Sequence, residues 1–323
     1  MKTNDMYPLQ FQSIFKERLW GGNKLYNLKG LPAGEENVGE SWELSAVPGA
    51  LSVVSAGPLK GRSLPELIET YRGGLVGEGI YEKFGTDFPL LIKLIDARED
   101  LSIQVHPDDC LAWERHRCPG KTEMWYVMDA EPDACLYVGF NREVSKEEYL
   151  DAVEKGSLPA LLKKEQVKPG DAFFIPAGTI HAIGGGCLIA EIQQTSDITY
   201  RVDDWGRTDQ NGNPRQLHTG QALDAIDFSS AKDLNVTKLP TTGQPVQLVS
   251  NLYFTTRIIR IAGSYKEKHS GPDVCRIYIC TEGNIRIGPV SLKQGDTVLI
   301  PATESLVVLQ GDGIVLEVVP GEG

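Results

Sequence analysis

The sequence predicts a mostly β fold of two related, jelly-roll-like barrels with a few short covering helices. Three observations support this prediction. Gly and Pro are frequent, at 34 and 19 of 323 residues, and they separate short apolar runs, a pattern typical of barrels and sandwiches. Helix signals occur at only two places. A segment of strand and turn residues also recurs 125 residues further along the chain.

The predicted strands are four to six residues long, and most are rich in β-branched or aromatic side chains. They span residues 90–95, 101–105, 124–128, 135–138, 172–175, 188–192, 257–261, 276–280, 297–300 and 314–319. Because turn residues separate them, they are too short and too regularly interrupted for a helical fold.

The internal repeat relates Lys168–Ala177 to Lys293–Ala302. Each copy contains a Gly-Asp turn, a four-residue apolar strand and a Pro-Ala turn, and a second apolar strand follows. Self-similarity at a constant offset indicates repeated structural units, so we expect two barrels. At the same offset His181 aligns with Leu306, which predicts that the second barrel has lost whatever His181 does.

Two capping boxes predict the helices. The first, Ser63–Glu66, carries Pro in its first turn and precedes an apolar face. The second, Ser145–Glu148, precedes Leu150 and Val153 at helical spacing, and Gly156 ends it. Both helices are expected to cover a barrel rather than to form a separate domain.

Composition excludes several classes of function. The net charge of −12 argues against nucleic acid as a partner. No apolar run approaches the ~20 residues that a membrane helix needs. The first residues lack the apolar region of a secretion signal, so we expect a cytoplasmic protein. The six cysteines form no Cys-x-x-Cys pair, which favours reduced thiols over a zinc knuckle.

Four side chains with metal-binding groups are expected to converge in the first barrel. Gln104 and His106 alternate along a strand and so share one face. Glu123 begins the next apolar strand, and His181 follows a Pro-Ala-Gly turn. Mixed nitrogen and oxygen ligation without thiolate suits Zn²⁺ and would also accept Fe, Mn or Co. Three strong ligands leave a coordination position for water or substrate, as a catalytic metal requires.

The spacing Gly-x5-Pro-x-Gly-x2-His that ends at His181 resembles the second motif of the cupin superfamily. Gly185 stands where that motif usually has Asn. In Leu101–Pro107, Gln104-x-His106 replaces the usual His-x-His, and this variation is similar to the type I phosphomannose isomerase family. Further segments similar to this family, in its short bacterial form, are Phe15–Gly22, Gly39–Glu43, Gly120–Tyr126 and Ala190–Arg201.

The resemblance implies a bicupin fold, one Zn²⁺ per chain and interconversion of mannose 6-phosphate and fructose 6-phosphate. It places the zinc ligands at Gln104, His106, Glu123 and His181, and the catalytic arginine at Arg201. The sugar phosphate is then the expected partner, with neither nucleic acid nor membrane, and the oligomeric state stays open.

Further roles are expected around this site. Arg201 would stabilise developing charge or hold substrate. Lys121 would transfer a proton during ring opening or contact the substrate, and desolvation near a metal would lower its pKa. Glu191, two residues before Gln193, would be an acid/base group or support the ligands. By analogy with the family, Ser102 and Lys93 are the candidates for binding substrate phosphate.

The predicted domains are residues 1–85, N-terminal strands and a helix packed on the catalytic barrel; 86–205, the catalytic barrel with a helical insert at 145–164; 206–245, a connecting segment; and 246–323, a degenerate second barrel. Two other functions remain open. One is a cupin that binds a sugar phosphate without catalysis, and the other is a cupin oxidoreductase that uses Fe(II).

Overall fold

The computed structural model describes residues 6–32, 37–208, 212–229, 233–269 and 274–321. Its architecture is mostly β, as predicted, and it has the bicupin form. Part of the predicted connecting segment 206–245 lies outside the described residues. The boundaries of the four predicted domains stay a prediction.

The first barrel is built from two sheets. The larger sheet contains, in spatial order, β1 (Ile14–Gly22), β2 (Val38–Leu44), β3 (Leu90–Ala97), β10 (Cys187–Gln194), β5 (Glu123–Ala130) and β8 (Ala172–Ile175). The smaller sheet contains β11 (Tyr200–Asp203), β4 (Ile103–Val105), β9 (His181–Ile183), β6 (Cys135–Phe140) and β7 (Leu162–Gln166). The N-terminal strands β1 and β2 therefore extend the sheet that carries Glu123 and Glu191.

The second barrel is a single six-stranded sheet in which three strands are 12 to 15 residues long. It contains β12 (Val246–Ser250), β13 (Phe254–Lys268), β17 (Leu306–Pro320), β14 (Arg276–Ile287), β15 (Val290–Lys293) and, beside β14, β16 (Thr297–Ile300). Leu306, at the start of β17, is 48% exposed.

More helices form than the two that the capping boxes predict. They are α1 (Lys24–Lys29), α2 (Leu64–Tyr71), α3 (Gly73–Val76), α4 (Glu78–Phe84), α5 (Asp109–His116), α6 (Lys146–Glu154) and α7 (Thr219–Ala225). The capping box at Ser63 is present, and Ser145 caps α6 by accepting a hydrogen bond from the Glu148 amide. The additional helices are short, so little periodicity announces them.

Helix α6 buries a different face from the one predicted. Leu150 is 41% exposed, whereas Tyr149 and Ala152 are buried and Val153 is partly buried. Tyr149 reaches the cluster that covers the outer face of the smaller sheet, and its ring meets Phe228 edge-on at 5.6 Å. The large aromatic side chain thus sets the rotation of the helix.

Apolar clusters fill the two barrels and join them. The cluster inside the first barrel includes Trp20, Trp125 and Ile183. The outer face of its larger sheet packs on the second barrel in one continuous cluster that includes Ile92 and Ile277. A separate cluster fills the second barrel. Within the described chain, no helix has the length and apolar character that crossing a membrane requires.

Candidate metal centre and active site

His106, Glu123 and His181 meet inside the first barrel, with their potential ligand atoms all within 4.8 Å of one another. Glu123 Oε2 lies 3.6 Å from His106 Nε2, and Glu123 Oε1 lies 3.4 Å from His181 Nε2. All three side chains are at most 1% exposed. His106 and His181, 75 positions apart along the chain, converge because β4 and β9 pair directly, with Gln104 opposite His181.

The two imidazoles are held in orientations that direct Nε2 into the centre. His106 Nδ1 donates to the Ile198 carbonyl at 2.9 Å, and His181 Nδ1 donates to the Thr179 carbonyl at 2.8 Å. A hydrogen bond of this kind on the other ring nitrogen selects the tautomer that a metal ligand needs. Burial lowers the pKa of His181 to about 4 and, together with Lys121, lowers that of His106 well below its usual value. Both rings are therefore neutral near pH 7.

Glu123 is a fully buried carboxylate that forms an ion pair with Lys121 but accepts no hydrogen bond of ordinary geometry among the described residues. Burial, aided by the nearby Glu191, raises the pKa of Glu123 to about 7. A divalent cation between this carboxylate and two neutral imidazoles would relieve that cost, so the residues present fit a metal ion.

Gln104 and Lys121 complete the surroundings of the three ligand groups. The Gln104 amide nitrogen lies 3.3 Å from His181 Nε2, and turning the amide by 180° would present its oxygen instead. Lys121 Nζ lies 2.9 Å from Glu123 Oε2 and 3.0 Å from His106 Nε2. Burial lowers the pKa of Lys121, but the carboxylates of Glu123 and Glu191 outweigh burial, and among the protein's own groups the net direction is upward. The lowered pKa expected beside a bound metal stays a prediction.

A row of buried groups continues from the centre across the larger sheet. The ring of Trp125 meets that of His181 at 5.2 Å, and Trp125 Nε1 donates to Glu191 Oε2 at 3.1 Å. Glu191 Oε1 lies 3.2 Å from Lys93 Nζ. Burial opposes ionisation of Glu191, yet Lys93 and Lys121 lower its pKa overall. The structure thus joins two predicted residues, Glu191 and Lys93, in one ion pair beside the centre.

Two further residues of this row were not assigned a role from the sequence. Glu40 accepts hydrogen bonds from Arg18 at 3.0 Å and from Trp42 Nε1 at 2.7 Å. Burial raises the pKa of Glu40, but Lys93 and Arg18 outweigh it and the pKa falls to about 2. In the sequence, Glu40 and Trp42 alternate within the segment Gly39–Glu43. This alternation predicts that both side chains lie on one face of a strand, but it does not predict which residues they contact.

Arg201 lies on the smaller sheet, and Ser102 directly precedes strand β4 of that sheet. Arg201 is opposite Gln104 in the pairing of β11 with β4, so it shares the face that carries Gln104 and His181. Its Nη1 donates to the Gln216 carbonyl at 3.0 Å, while its buried Nε has no acceptor among the described residues. Ser102 is 4% exposed and shares the parity of Gln104; no described contact joins it to Lys93.

The second barrel contains another group that could hold a metal, formed by Glu267, His269 and Glu317. Two arginines already compensate its carboxylates. Arg257 forms ion pairs with Glu267 and Glu317, and Arg276 Nε lies 3.7 Å from Glu317 Oε1. Because these guanidinium groups supply the positive charge, this cluster differs from the centre in the first barrel.

The fold and the buried site define this protein as a bicupin whose first barrel carries two imidazoles and a carboxylate that could hold a metal ion. Comparisons with known proteins narrow the class. Residues 8–135 match the model of the phosphomannose isomerase type I catalytic domain. The chain is 38% identical over 312 residues to mannose-6-phosphate isomerase of Streptococcus mutans, covering 94% of this chain and 96% of that protein. The chain belongs to the type I phosphomannose isomerase family.

Other relatives agree over nearly the whole chain. Mannose-6-phosphate isomerase ManA of Bacillus subtilis is 38% identical over 303 residues, which is 91% of this chain and 93% of that one. The crystal structure of a mannose 6-phosphate isomerase from Bacillus subtilis superposes with a TM-score of 0.82 at 33% identity, covering 97% and 99% of the two chains. A putative mannosephosphate isomerase from Archaeoglobus fulgidus gives 0.80 at 25% identity, covering 97% of each chain.

Proposed function

We propose that this protein interconverts mannose 6-phosphate and fructose 6-phosphate by proton transfer between C2 and C1 through an enediol or enediolate. The observation that carries the proposal is the convergence of His106, Glu123 and His181 with Lys121 in one buried centre. The choice of substrate follows from membership of the family, because relatives of similar length are named mannose-6-phosphate isomerases.

The ion that we propose is Zn²⁺, one per chain, held by His106, Glu123 and His181 with Gln104 as a fourth ligand. Mixed nitrogen and oxygen donors without thiolate favour this ion over softer alternatives. When bound, it would polarise the substrate oxygens on which negative charge develops.

The protein's own residues would bind the substrate and move the protons. Lys121, whose Nζ lies 2.9 Å from Glu123 Oε2, can donate an ammonium proton to the ring oxygen as the sugar opens. Glu191, whose pKa is lowered, is ionised and can accept a proton from carbon. Arg201 supplies a fixed positive charge on the facing sheet. Lys93 on β3 and Ser102, directly before β4, are the proposed contacts for phosphate.

The test is metal analysis of the purified protein together with a coupled assay for fructose 6-phosphate formed from mannose 6-phosphate. We expect one zinc per chain and turnover that a chelator abolishes and zinc restores. Tight binding of the sugar phosphate without turnover would instead indicate a binding protein. Activity that requires Fe(II) and consumes oxygen would indicate an oxidoreductase. The absence of nucleic-acid and membrane partners and the cytoplasmic location stay predictions.

A further inference from the structure

Two lysines approach the same tryptophan at the edge of the larger sheet. Lys16, on β1, places Nζ 4.9 Å from the centroid of the Trp42 ring, and Lys93, on β3, places Nζ 5.1 Å from it. Trp42 lies on β2 between them and is 5% exposed. The two ammonium groups therefore lie at most 10.0 Å apart, which is the sum of 4.9 Å and 5.1 Å.

The charges around the two lysines differ. Lys93 has the Glu191 carboxylate at 3.2 Å. Glu40 lies opposite Lys16 in the pairing of β1 with β2, but its carboxylate is occupied by Arg18 and by the Trp42 indole. Among the described residues, no carboxylate forms an ion pair with Lys16, which is only partly buried. The edge of the site therefore carries, at Lys16, an ammonium group without an ion-pair partner among the described residues, beside the same ring that the paired ammonium group of Lys93 approaches.

The lysines are connected to the metal centre by direct contacts. Lys93 pairs with Glu191, Glu191 accepts a hydrogen bond from Trp125, and the Trp125 ring contacts His181. Lys16 lies at the other end of this row, on the edge strand β1. The neighbouring strand, β2, carries Trp42. A molecule that extended from the centre along the row would pass Glu191 and Lys93 and then approach Lys16.

We propose that Lys16 is a second phosphate-binding residue, which holds the substrate phosphate together with Lys93 over the Trp42 ring. This inference rests on the proposed function and adds to it a residue that determines specificity for the phosphorylated sugar. Phosphate offers several strong acceptor oxygens, so one group can accept hydrogen bonds from two ammonium groups at once. It would also compensate the charge of Lys16, which has no ion-pair partner among the described residues.

The experiment measures steady-state kinetics and inhibition by inorganic phosphate for metal-loaded wild-type protein, Lys16→Met and Lys16→Arg. Lys60→Met, at an exposed position on another surface, is the control. We expect Lys16→Met to raise KM for mannose 6-phosphate and the inhibition constant of phosphate about tenfold, since a hydrogen bond to a charged group is lost, with kcat little changed. Lys16→Arg should restore most of the affinity, and inhibition by mannose, which lacks the phosphate, should not change.

Each other outcome is informative. Unchanged KM and unchanged phosphate inhibition in Lys16→Met would overturn the role of Lys16 while wild-type turnover kept the proposed function. A fall in kcat at constant KM would also overturn it. A wild-type protein without turnover that bound inorganic phosphate calorimetrically through Lys16 would refute the isomerase proposal alone. Thermal unfolding checks the fold, and Lys16→Gln serves as a second neutral variant.

Discussion

Arg276 occupies in the second barrel the register position that Glu123 occupies in the first. Glu123 pairs with Ile175, and Arg276 pairs with Ile300, which follows Ile175 by the 125-residue offset of the internal repeat. A cation thus stands where the first barrel has its carboxylate ligand.

The correspondence extends to the neighbouring strands. Glu191 lies opposite Lys93 on one side and Trp125 on the other, and Glu317 lies opposite Arg257 and Tyr278 in the same way. Tyr278 donates to Glu317 at 2.8 Å, as Trp125 donates to Glu191. The second barrel therefore keeps the charged frame of the first, and its arginines take the place of a metal.

We predict one metal ion per chain, with none in the second barrel. The substitution His269→Ala should leave the metal content at one, because Arg257 and Arg276 already neutralise Glu267 and Glu317. Elemental analysis of dialysed protein measures this. A second equivalent of metal in the wild-type protein, lost in His269→Ala, would contradict the prediction.

His181→Ala should lose metal and activity while it keeps the fold. Removing one of three strong ligands leaves too few donors to hold the ion against buffer, whereas the strand that carries it remains paired. Metal content, turnover and circular dichroism measure the three effects. The exposed His116→Gln is the control and should retain metal. Normal metal content in His181→Ala would show that the ligand assignment is wrong.

Arg201→Ala should lower kcat roughly 10²-fold, the usual cost of removing one charged group that stabilises the transition state. Metal should be retained because no ligand changes. Arg142, paired with Glu148 on the surface, provides the control Arg142→Ala, which should react at the wild-type rate. A near-normal kcat for Arg201→Ala would remove the residue from the catalytic machinery.

Glu40→Gln should destabilise the protein at pH 7, and the difference should shrink in acid. The pKa of Glu40 is about 2 in the folded protein and 4.5 ordinarily. Its depressed value contributes stability above pH 4.5 that is lost as the pH falls toward 2, up to about 3 kcal/mol. Denaturant unfolding at pH 7 and pH 4 measures this, with the exposed Glu69→Gln as control. A difference that grew on acidification would refute the assignment.

The sequence alone predicted the elements that depend on local chemistry. Alternation along a strand put Gln104 and His106 on one face, the Ser63 capping box started α2, and the repeat predicted two related barrels. All three features are confirmed. Side-chain parity and capping involve only neighbours a few residues apart, and the repeat is visible as self-similarity at a constant offset.

Only the tertiary structure decided which distant side chains share the site. Glu40, Lys93 and Glu191 form one charged row because β2, β3 and β10 pair in a particular register, and the upward pKa shift of Lys121 arises from carboxylates that this row brings near. Register depends on how whole sheets close and pack, so short-range patterns cannot determine it. For the same reason, the sequence alone does not show that Arg276 stands at the position of Glu123; the strand pairing in the two barrels does.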